Sequence, residues 1–128
     1  MSVRKIRSLV VLLTVTLLIG TVVATAAASP VGREPTRETK TVKGVVSHWS
    51  PTTVRISAGD TIRWKAVSGS HTVTAYSGNW AFDRSLSQGT TLHRRFTHAG
   101  TYRFRCTFHS TLVNGVCSGM CAKVVVTG

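Results

Sequence analysis

Sixteen residues near the C-terminus, CTFHSTLVNGVCSGMC, concentrate the residue types that bind soft metal ions. The segment runs from Cys106 to Cys121 and contains all three cysteines of the 128-residue chain, one histidine and the only methionine besides Met1. Thiolate and thioether sulfur favour Cu(I), zinc and iron–sulfur clusters, and imidazole suits zinc, copper and iron. The composition of this segment therefore predicts a site for a soft or borderline metal ion.

Copper that alternates between Cu(I) and Cu(II) is well served by two imidazoles and one thiolate with a weak axial methionine. Cys106 and His109 stand at C-x-x-H spacing, and Met120 follows them. A second imidazole has to come from elsewhere in the chain, and the candidates are His48, His71, His93 and His98. His71 is favoured because it opens a strand-like segment after a loop that can reach the same rim as Cys106.

The elements that must position these residues read as short strands. TTVRISAGD, TIRWKAV and TYRFRC alternate apolar and polar residues, and turn residues separate them at short intervals. Period-two alternation without a helical window predicts an antiparallel β-sandwich or barrel. In TYRFRC it points Cys106 inward with Tyr102 and Phe104 at the end of a strand. TVKGVVSHW is predicted as one strand and SGNWAFDRSLSQG as a loop.

The N-terminus predicts export. Three basic residues among the first seven precede an apolar run from Leu9 to Val23 and small residues up to Ala28. This pattern is typical of a secretory signal peptide cleaved after Ala28. An uncleaved anchor helix is the alternative, since Leu9–Ala28 is about long enough to span a bilayer. Either way the rest of the chain would be extracytoplasmic, where disulfides persist. We expect a signal peptide at 1–28, a flexible leader at 29–39 and one domain at 40–128.

The charge balance indicates acidic partners. The formal net charge is +12, and removal of residues 1–28 leaves 13 basic residues and four acids, hence 13 − 4 = +9. Such a charge favours acidic proteins or anionic surfaces. The basic residues are scattered singly along strand-like segments, so a nucleic-acid partner is not expected. Neither a Ser-His-Asp pattern nor a carboxylate pair near the metal-binding segment is found, so we do not expect an enzyme.

The pieces GDTIRW, SHTVTA, GTYRFRCTFH, GM and KVVV follow one another in this order. Together they make roughly residues 40–128 resemble the cupredoxins, and among them the plastocyanin-like small blue copper proteins. The resemblance implies a Greek-key β-sandwich holding one type 1 copper ion through His71, Cys106, His109 and Met120. It also implies a monomer that moves single electrons between larger redox proteins and has no substrate of its own. His109 would be the solvent-facing ligand, beside an apolar docking patch.

The ligand loop departs from the pattern of that family. Ten residues separate His109 from Met120, where a few are usual. The insertion carries Cys117, and Cys121 follows the methionine. We expect Cys117 and Cys121 to form a disulfide that holds Met120 within a long loop and leaves Cys106 for the metal. Another oxygen or nitrogen could be the axial ligand in place of Met120.

Two other functions remain open from the sequence. Copper storage or delivery would use the same ligands, although easy metal exchange would require an exposed site. Alternatively, Cys106, His109, Cys117 and Cys121 could bind zinc as a Cys₃His structural site. Export counts against zinc, because an oxidising compartment favours pairing of the last two cysteines. The zinc site would also leave the His71 segment without a role.

Overall fold

The structure is a computed structural model that describes residues 24, 27–28, 32 and 34–128. The predicted signal peptide or anchor, residues 1–28, lies almost wholly outside the described residues, as do residues 29–31 and 33 of the predicted leader. Glu34–Gly128 form one compact unit. Among the described residues, no helix combines the length and the hydropathy needed to cross a membrane.

The described part of the chain folds into two β-sheets packed on one another. The strand order is β2-β1-β4-β7 in the first sheet and β3-β9-β8-β5-β6 in the second. Most pairings are antiparallel, whereas β1 runs parallel to β4 and β3 runs parallel to β9. The predicted β-sandwich is therefore confirmed, with mixed sheets. The nine strands are β1 (Thr39–Val45), β2 (His48–Ser50), β3 (Thr53–Ser57), β4 (Thr61–Ser68), β5 (His71–Ala75), β6 (Asp83–Leu86), β7 (Thr91–Arg95), β8 (Gly100–Val113) and β9 (Val116–Thr127).

The core follows the alternation of the sequence. On β4, Ile62 and Trp64 are buried, while Arg63 and Lys65 are exposed. Trp64 packs edge-on against Phe104 of the other sheet, with ring centroids 5.5 Å apart. Burial of such a side chain is worth roughly 1.5–3 kcal/mol relative to exposure. This aromatic contact packs the two sheets against each other.

Two predicted segments differ from the structure. TVKGVVSHW is not one strand: it contains a hairpin in which β1 and β2 pair Val45 with His48, and the chain reverses at Val46 with φ 48°. The segment 77–89, predicted as a loop, contains β6. This edge strand pairs with β5, and Leu86 is its only buried residue. β6 forms through backbone hydrogen bonds to its neighbour β5. Such hydrogen bonds do not require an alternation of apolar and polar residues in the sequence.

The predicted ligand loop is also a β-structure. Beyond Arg105, β8 and β9 continue as a two-stranded extension, residues 107–119, which we call the hairpin arm. Its tip is Asn114-Gly115, with φ 50° and 78°, the positive values that a tight hairpin turn requires. Cys106 therefore does not end a strand, and the prediction of a loop was wrong. The Asn-Gly pair between β-branched residues was the signal for a hairpin.

Candidate metal site

The structure brings three of the four predicted ligand residues together at one end of the sandwich. His71 is the first residue of β5, and Cys106 and His109 lie on β8. One potential ligand atom from each residue lies within 4.8 Å of the other two. Residues 35 and 38 positions apart in the sequence thus meet at a single point, as the resemblance implied.

A wide bulge in β8 turns Cys106 and His109 toward the same point. Arg105 pairs with Cys121 and Ser110 pairs with Gly119, so four residues of β8 stand opposite one residue of β9. Bulges of this kind redirect side chains next to functional sites. Ser110 stabilises the bulge, because its hydroxyl donates a hydrogen bond to the carbonyl oxygen of Cys106 at 2.5 Å.

Gly119 makes the bulge possible on the opposite strand. Its φ is +96°, a conformation that side chains rarely adopt. A Cβ at Gly119 would also collide with the carbonyl oxygen of His109. The backbone of β9 can therefore approach the His109 segment only at a glycine.

His71 has an unpaired nitrogen inside the protein. The side chain is 1% exposed, and its Nε2 lies 2.9 Å from the carbonyl oxygen of Ser68. A carbonyl only accepts, so Nε2 carries the proton and Nδ1 presents a lone pair. Nδ1 is buried without a hydrogen-bond partner. An unsatisfied buried acceptor costs about 1–3 kcal/mol, and a metal ion would satisfy it. The Ser68 carbonyl is the kind of outer partner that orients a metal-binding imidazole.

The Cys106 thiol, on the same strand as His109, is fully buried. Its Sγ lies 3.4 Å from Nδ1 of His109, and the backbone N–H of Thr72 donates to it at 3.4 Å. A hydrogen bond to the sulfur stabilises negative charge there, and bonds of this type tune a thiolate ligand. The thiol is therefore buried, hydrogen-bonded and next to a histidine nitrogen.

His109 differs from the other two residues in being exposed. Its ring centroid lies 5.4 Å from that of His71, at an interplanar angle of 60°. Phe108, its neighbour on β8, is 65% exposed. The candidate site thus consists of two buried side chains, those of His71 and Cys106, and the exposed imidazole of His109.

Met120 is the residue of β9 that stands opposite the bulge, and it is 1% exposed. Cys117 and Cys121 on either side of it form a disulfide, which confirms the expected pairing. Their Cα atoms are 6.2 Å apart. An extended strand would separate them by about 13 Å. The disulfide therefore spans a sharp bend in β9 next to the site. It also removes two of the four thiolate and imidazole ligands that the zinc alternative requires.

Comparison with known proteins finds solved structures of similar fold. No protein-family model and no curated protein matches the chain. The reduced state of an amicyanin mutant aligns with a TM-score of 0.58 and 25% identity, over 68% of this chain and 80% of that one. A purple cupredoxin from Nitrosopumilus maritimus aligns with a TM-score of 0.53 and 20% identity, over 68% of this chain and 98% of that one.

The chain has a cupredoxin-like fold. A Cu-containing nitrite reductase from Thermus scotoductus SA-01 also aligns, with a TM-score of 0.58 and 20% identity. That alignment covers 74% of this chain and 23% of the reductase chain. The likeness to the reductase therefore concerns the fold alone.

The donor set of this cupredoxin-like chain fits copper. Two imidazole nitrogens and one cysteine sulfur, with a methionine at the adjoining strand, are the ligand types of a blue copper site. The unpaired Nδ1 of His71 is the structural sign that a ligand belongs there. The remaining histidines, His48, His93 and His98, are exposed and lie outside this group.

Sequence reasoning missed one residue that shapes the site. Gly44 of β1 is buried against the ring of His71. A glycine inside a strand often marks a close approach of another group to the backbone. That signal was present in TVKGVV, but the partner could not be named before the sheets were placed.

Proposed function

We propose that the protein is an exported type 1 copper protein that carries single electrons between redox partners. One copper ion would be held by His71, Cys106 and His109, with Met120 as the axial ligand. The observation that carries this proposal is the unpaired, buried Nδ1 of His71 beside the buried Cys106 thiol. Bound copper would supply the one-electron Cu(I)/Cu(II) couple.

The chain's own residues favour electron transfer over easy release of the metal. His71 is held by the Ser68 carbonyl and Cys106 by the Thr72 N–H, so both donors are oriented by backbone groups. Both are buried, which excludes water from the sulfur. A rigid, dry donor set rearranges little when its charge changes. Storage or delivery would be better served by an open site, and only His109 is open here.

The hairpin arm suits the docking of a partner next to His109. Its exposed apolar side chains are Phe108, Leu112, Val113 and Val116. No charged residue occurs between Cys106 and Cys121, although the chain as a whole carries +12. We propose partners with an apolar contact surface inside an acidic rim. Long-range attraction would then steer the encounter, and the uncharged arm would make the contact through which His109 passes the electron.

The experiment that tests the proposal is a titration of the metal-free protein with Cu(II), followed by absorption spectroscopy. We expect an intense red-region band that saturates at one equivalent. Cys106→Ser should abolish this band while the circular dichroism of the β-sandwich is retained. A colourless complex, or a band that persists in Cys106→Ser, would refute the proposed ligand set.

A second measurement separates electron transfer from storage. A carrier should give reversible voltammetry without losing copper to a chelator over many cycles. A storage protein would release copper to the same chelator, and that result would contradict the proposed role. We propose that the protein is a monomer, which sedimentation analysis of the copper-loaded protein would test. We propose neither a catalytic activity nor a nucleic-acid partner for it.

The proposed location is extracytoplasmic. The Cys117–Cys121 disulfide supports it, because disulfides persist in oxidising compartments and are rare in the cytosol. Mass spectrometry of the exported protein would find a chain beginning at Ser29 if the signal peptide is cleaved. An intact N-terminus in the membrane fraction would indicate the anchor instead.

A further inference from the structure

A recess lies on the five-stranded sheet where β9 bends at the Cys117–Cys121 disulfide. Its volume is about 250 Å³, several times the roughly 30 Å³ that one water molecule occupies in the liquid. The disulfide and Ala122 form one part of its wall. The polar lining residues come from four separate segments of the chain: Thr52, Thr53, Tyr76, Arg103 and Lys123.

Backbone hydrogen bonds hold these segments together. The carbonyl oxygen of Arg103 accepts the N–H of Tyr76 at 3.1 Å, and the carbonyl oxygen of Thr52 accepts the N–H of Lys123 at 2.9 Å. Arg103 and Lys123 are cross-strand partners on β8 and β9, and Thr53 of β3 pairs with Lys123 from the other side. The sheet and these bonds therefore set where each of the five polar side chains begins.

Arg103 and Lys123 place two positive charges next to each other in the recess. Directly opposed like charges destabilise a sheet. Within residues 34–128, the hydrogen bonds of Arg103 and Lys123 all use their backbone atoms, and the single ion pair found there joins Lys40 and Glu38. All four acids of the chain lie in this range, and none of them lines the recess. An anion in the recess would therefore give both cations the partner that residues 34–128 do not supply.

The other groups of the recess also suit an anion. Thr52, Thr53 and Tyr76 contribute three hydroxyls that can donate to ligand oxygens. A guanidinium binds an oxyanion through two parallel hydrogen bonds, and an ammonium adds a compact charge with three donors. Two cations match a ligand of charge −2. The apolar wall and the volume leave room for a short carbon chain between its acidic groups.

We propose that this recess binds a small organic dianion, of the dicarboxylate or phosphate-monoester type, through Arg103 and Lys123. The anionic groups of the ligand lie against the guanidinium and the ammonium, and the Tyr76 hydroxyl is a further donor. The ligand contacts neither His71 nor Cys106, so it binds whether or not the protein holds copper.

Isothermal titration calorimetry of the metal-free protein at low ionic strength tests this site with two probes, succinate and glycerol 3-phosphate. We expect at least one of them to bind one-to-one with a Kd of about 1 mM or below, which two charge-assisted hydrogen bonds can supply. The tighter of the two identifies the acidic group. Acetate, which carries one charge, should bind at least about tenfold more weakly. Binding of neither dianion, or acetate binding as tightly as both, would overturn the proposal.

Lys65→Gln is the matched control for Lys123→Gln. Lys65 is exposed on β4 of the other sheet, so the substitution removes the same charge outside the recess. Lys123→Gln and Arg103→Gln should each weaken dianion binding about tenfold, whereas Lys65→Gln should leave the Kd unchanged within about twofold. Without ligand, Lys123→Gln should be at least as stable as the wild-type protein, because it removes a like-charge pair. Equal weakening in all three variants would show an adventitious ion only, attracted by the net charge, and would refute the site.

Amide chemical shifts of the metal-free protein locate the bound dianion. Saturation with the tighter probe should move the resonances of Thr53, Arg103 and Lys123 most and leave that of Lys65 in place. If the largest shifts occur instead at His71, the dianion binds at the candidate metal site and the proposed recess is wrong. Neither result depends on copper, so this site and the copper function can fail separately.

Discussion

Gly44 on one sheet lies directly against the imidazole of His71 on the other. A Cβ built on Gly44 would stand 2.7 Å from Cδ2 and 3.1 Å from Nε2 of that ring, and 3.1 Å from the ring of Trp49. Real side chains do not come this close, so only glycine leaves room for the ring where Nε2 meets the Ser68 carbonyl. The position of the candidate ligand is therefore determined by a residue that binds nothing itself.

Gly44→Ala should displace His71 and weaken the metal site. The added methyl would meet the buried rings of His71 and Trp49 and not the end of a flexible side chain. Overpacking of this kind costs about 1–3 kcal/mol. We expect weaker Cu(II) binding and an altered red-region band. The checks are thermal unfolding and copper titration of the variant protein.

Gly78→Ala is the matched control for Gly44→Ala. A Cβ added at Gly78 would meet no heavy atom within 4 Å, and the residue has no positive φ, so the same chemical change there meets open space. Its stability and copper affinity should match those of the wild-type protein. Equal effects at the two glycines would show that the loss has nothing to do with His71.

The sequence was sufficient to predict the fold for a physical reason, and its resemblance to the cupredoxins grouped three candidate ligand residues. Inward-facing Ile62, Trp64 and Phe104 follow strict alternation, and burial on one face is what alternation encodes. Cys106 was predicted to point inward on the same grounds, and it is fully buried.

What the sequence could not predict depends on contacts between distant segments. Thr74 and Asp83 meet only because β6 pairs with β5. β6 shows no alternation of buried and exposed residues from which this strand could be predicted. Gly44 meets His71 only because β1 pairs with β4 in parallel, an arrangement that local patterns do not specify. Such cross-strand neighbours are chosen by the register of the whole sandwich.

Met120→Leu should separate a ligand role of Met120 from a packing role. The two side chains have similar volumes, so we expect a loss of less than about 1.5 kcal/mol in the free energy of unfolding. If the thioether is axial, its loss should change the absorption spectrum and the reduction potential while the Cys106-dependent red band remains. Unchanged spectrum and potential in a stable variant would exclude Met120 as a ligand.

The Cys117–Cys121 disulfide should account for two of the three cysteines in a thiol assay. Denatured, metal-free protein should show one reactive thiol, that of Cys106, before reduction and three after it. Cys117→Ser/Cys121→Ser should lower the free energy of unfolding by about 2 kcal/mol, since the ring it opens is small. Because the bend beside Met120 is then released, we also expect a broader red-region band. Three thiols without reductant would disprove the cross-link.

The hydrogen bonds of Asp60, which lies at the end of the fold where β1 begins, predict that the protein loses stability in acid. Its carboxylate accepts the backbone N–H of Glu38 at 2.8 Å and that of Ser57 at 2.9 Å. These bonds, that from Glu38 first, lower the pKa of Asp60 below its ordinary 3.8. A lowered pKa stabilises the folded state fully above pH 3.8, and this stabilisation disappears as the pH falls through the lowered value.

Asp60→Asn should therefore be less stable than the wild-type protein at neutral pH, and the two should converge in acid. Urea unfolding of both proteins, from neutral pH to below pH 3.8, measures the difference in the free energy of unfolding. Glu34→Gln, which neutralises an exposed acid, serves as the control and should follow the wild-type curve. A constant difference between Asp60→Asn and wild type at every pH would show that protonation of Asp60 is not involved.

Polar substitutions on the hairpin arm should slow electron exchange without changing the copper site. Val113 and Val116 are 64% and 72% exposed, so Val113→Ser and Val116→Ser should alter stability by no more than about 0.5 kcal/mol. Their spectra and potentials should equal those of the wild type. Exchange between reduced and oxidised copies of the protein, followed by NMR line broadening, needs no identified partner and reports on contact at His109.

The salt dependence of that exchange separates apolar contact from charge. Two copies that each carry a large positive charge repel each other, so their exchange should speed up as salt screens the repulsion. Arg55→Gln, on an exposed position of β3, should speed exchange at low salt and have no effect at high salt. The arm variants should be slower at every salt concentration, because they weaken the contact itself. Arm variants that exchange at the wild-type rate in high salt would mean that electrons leave the protein somewhere other than beside Val113 and Val116.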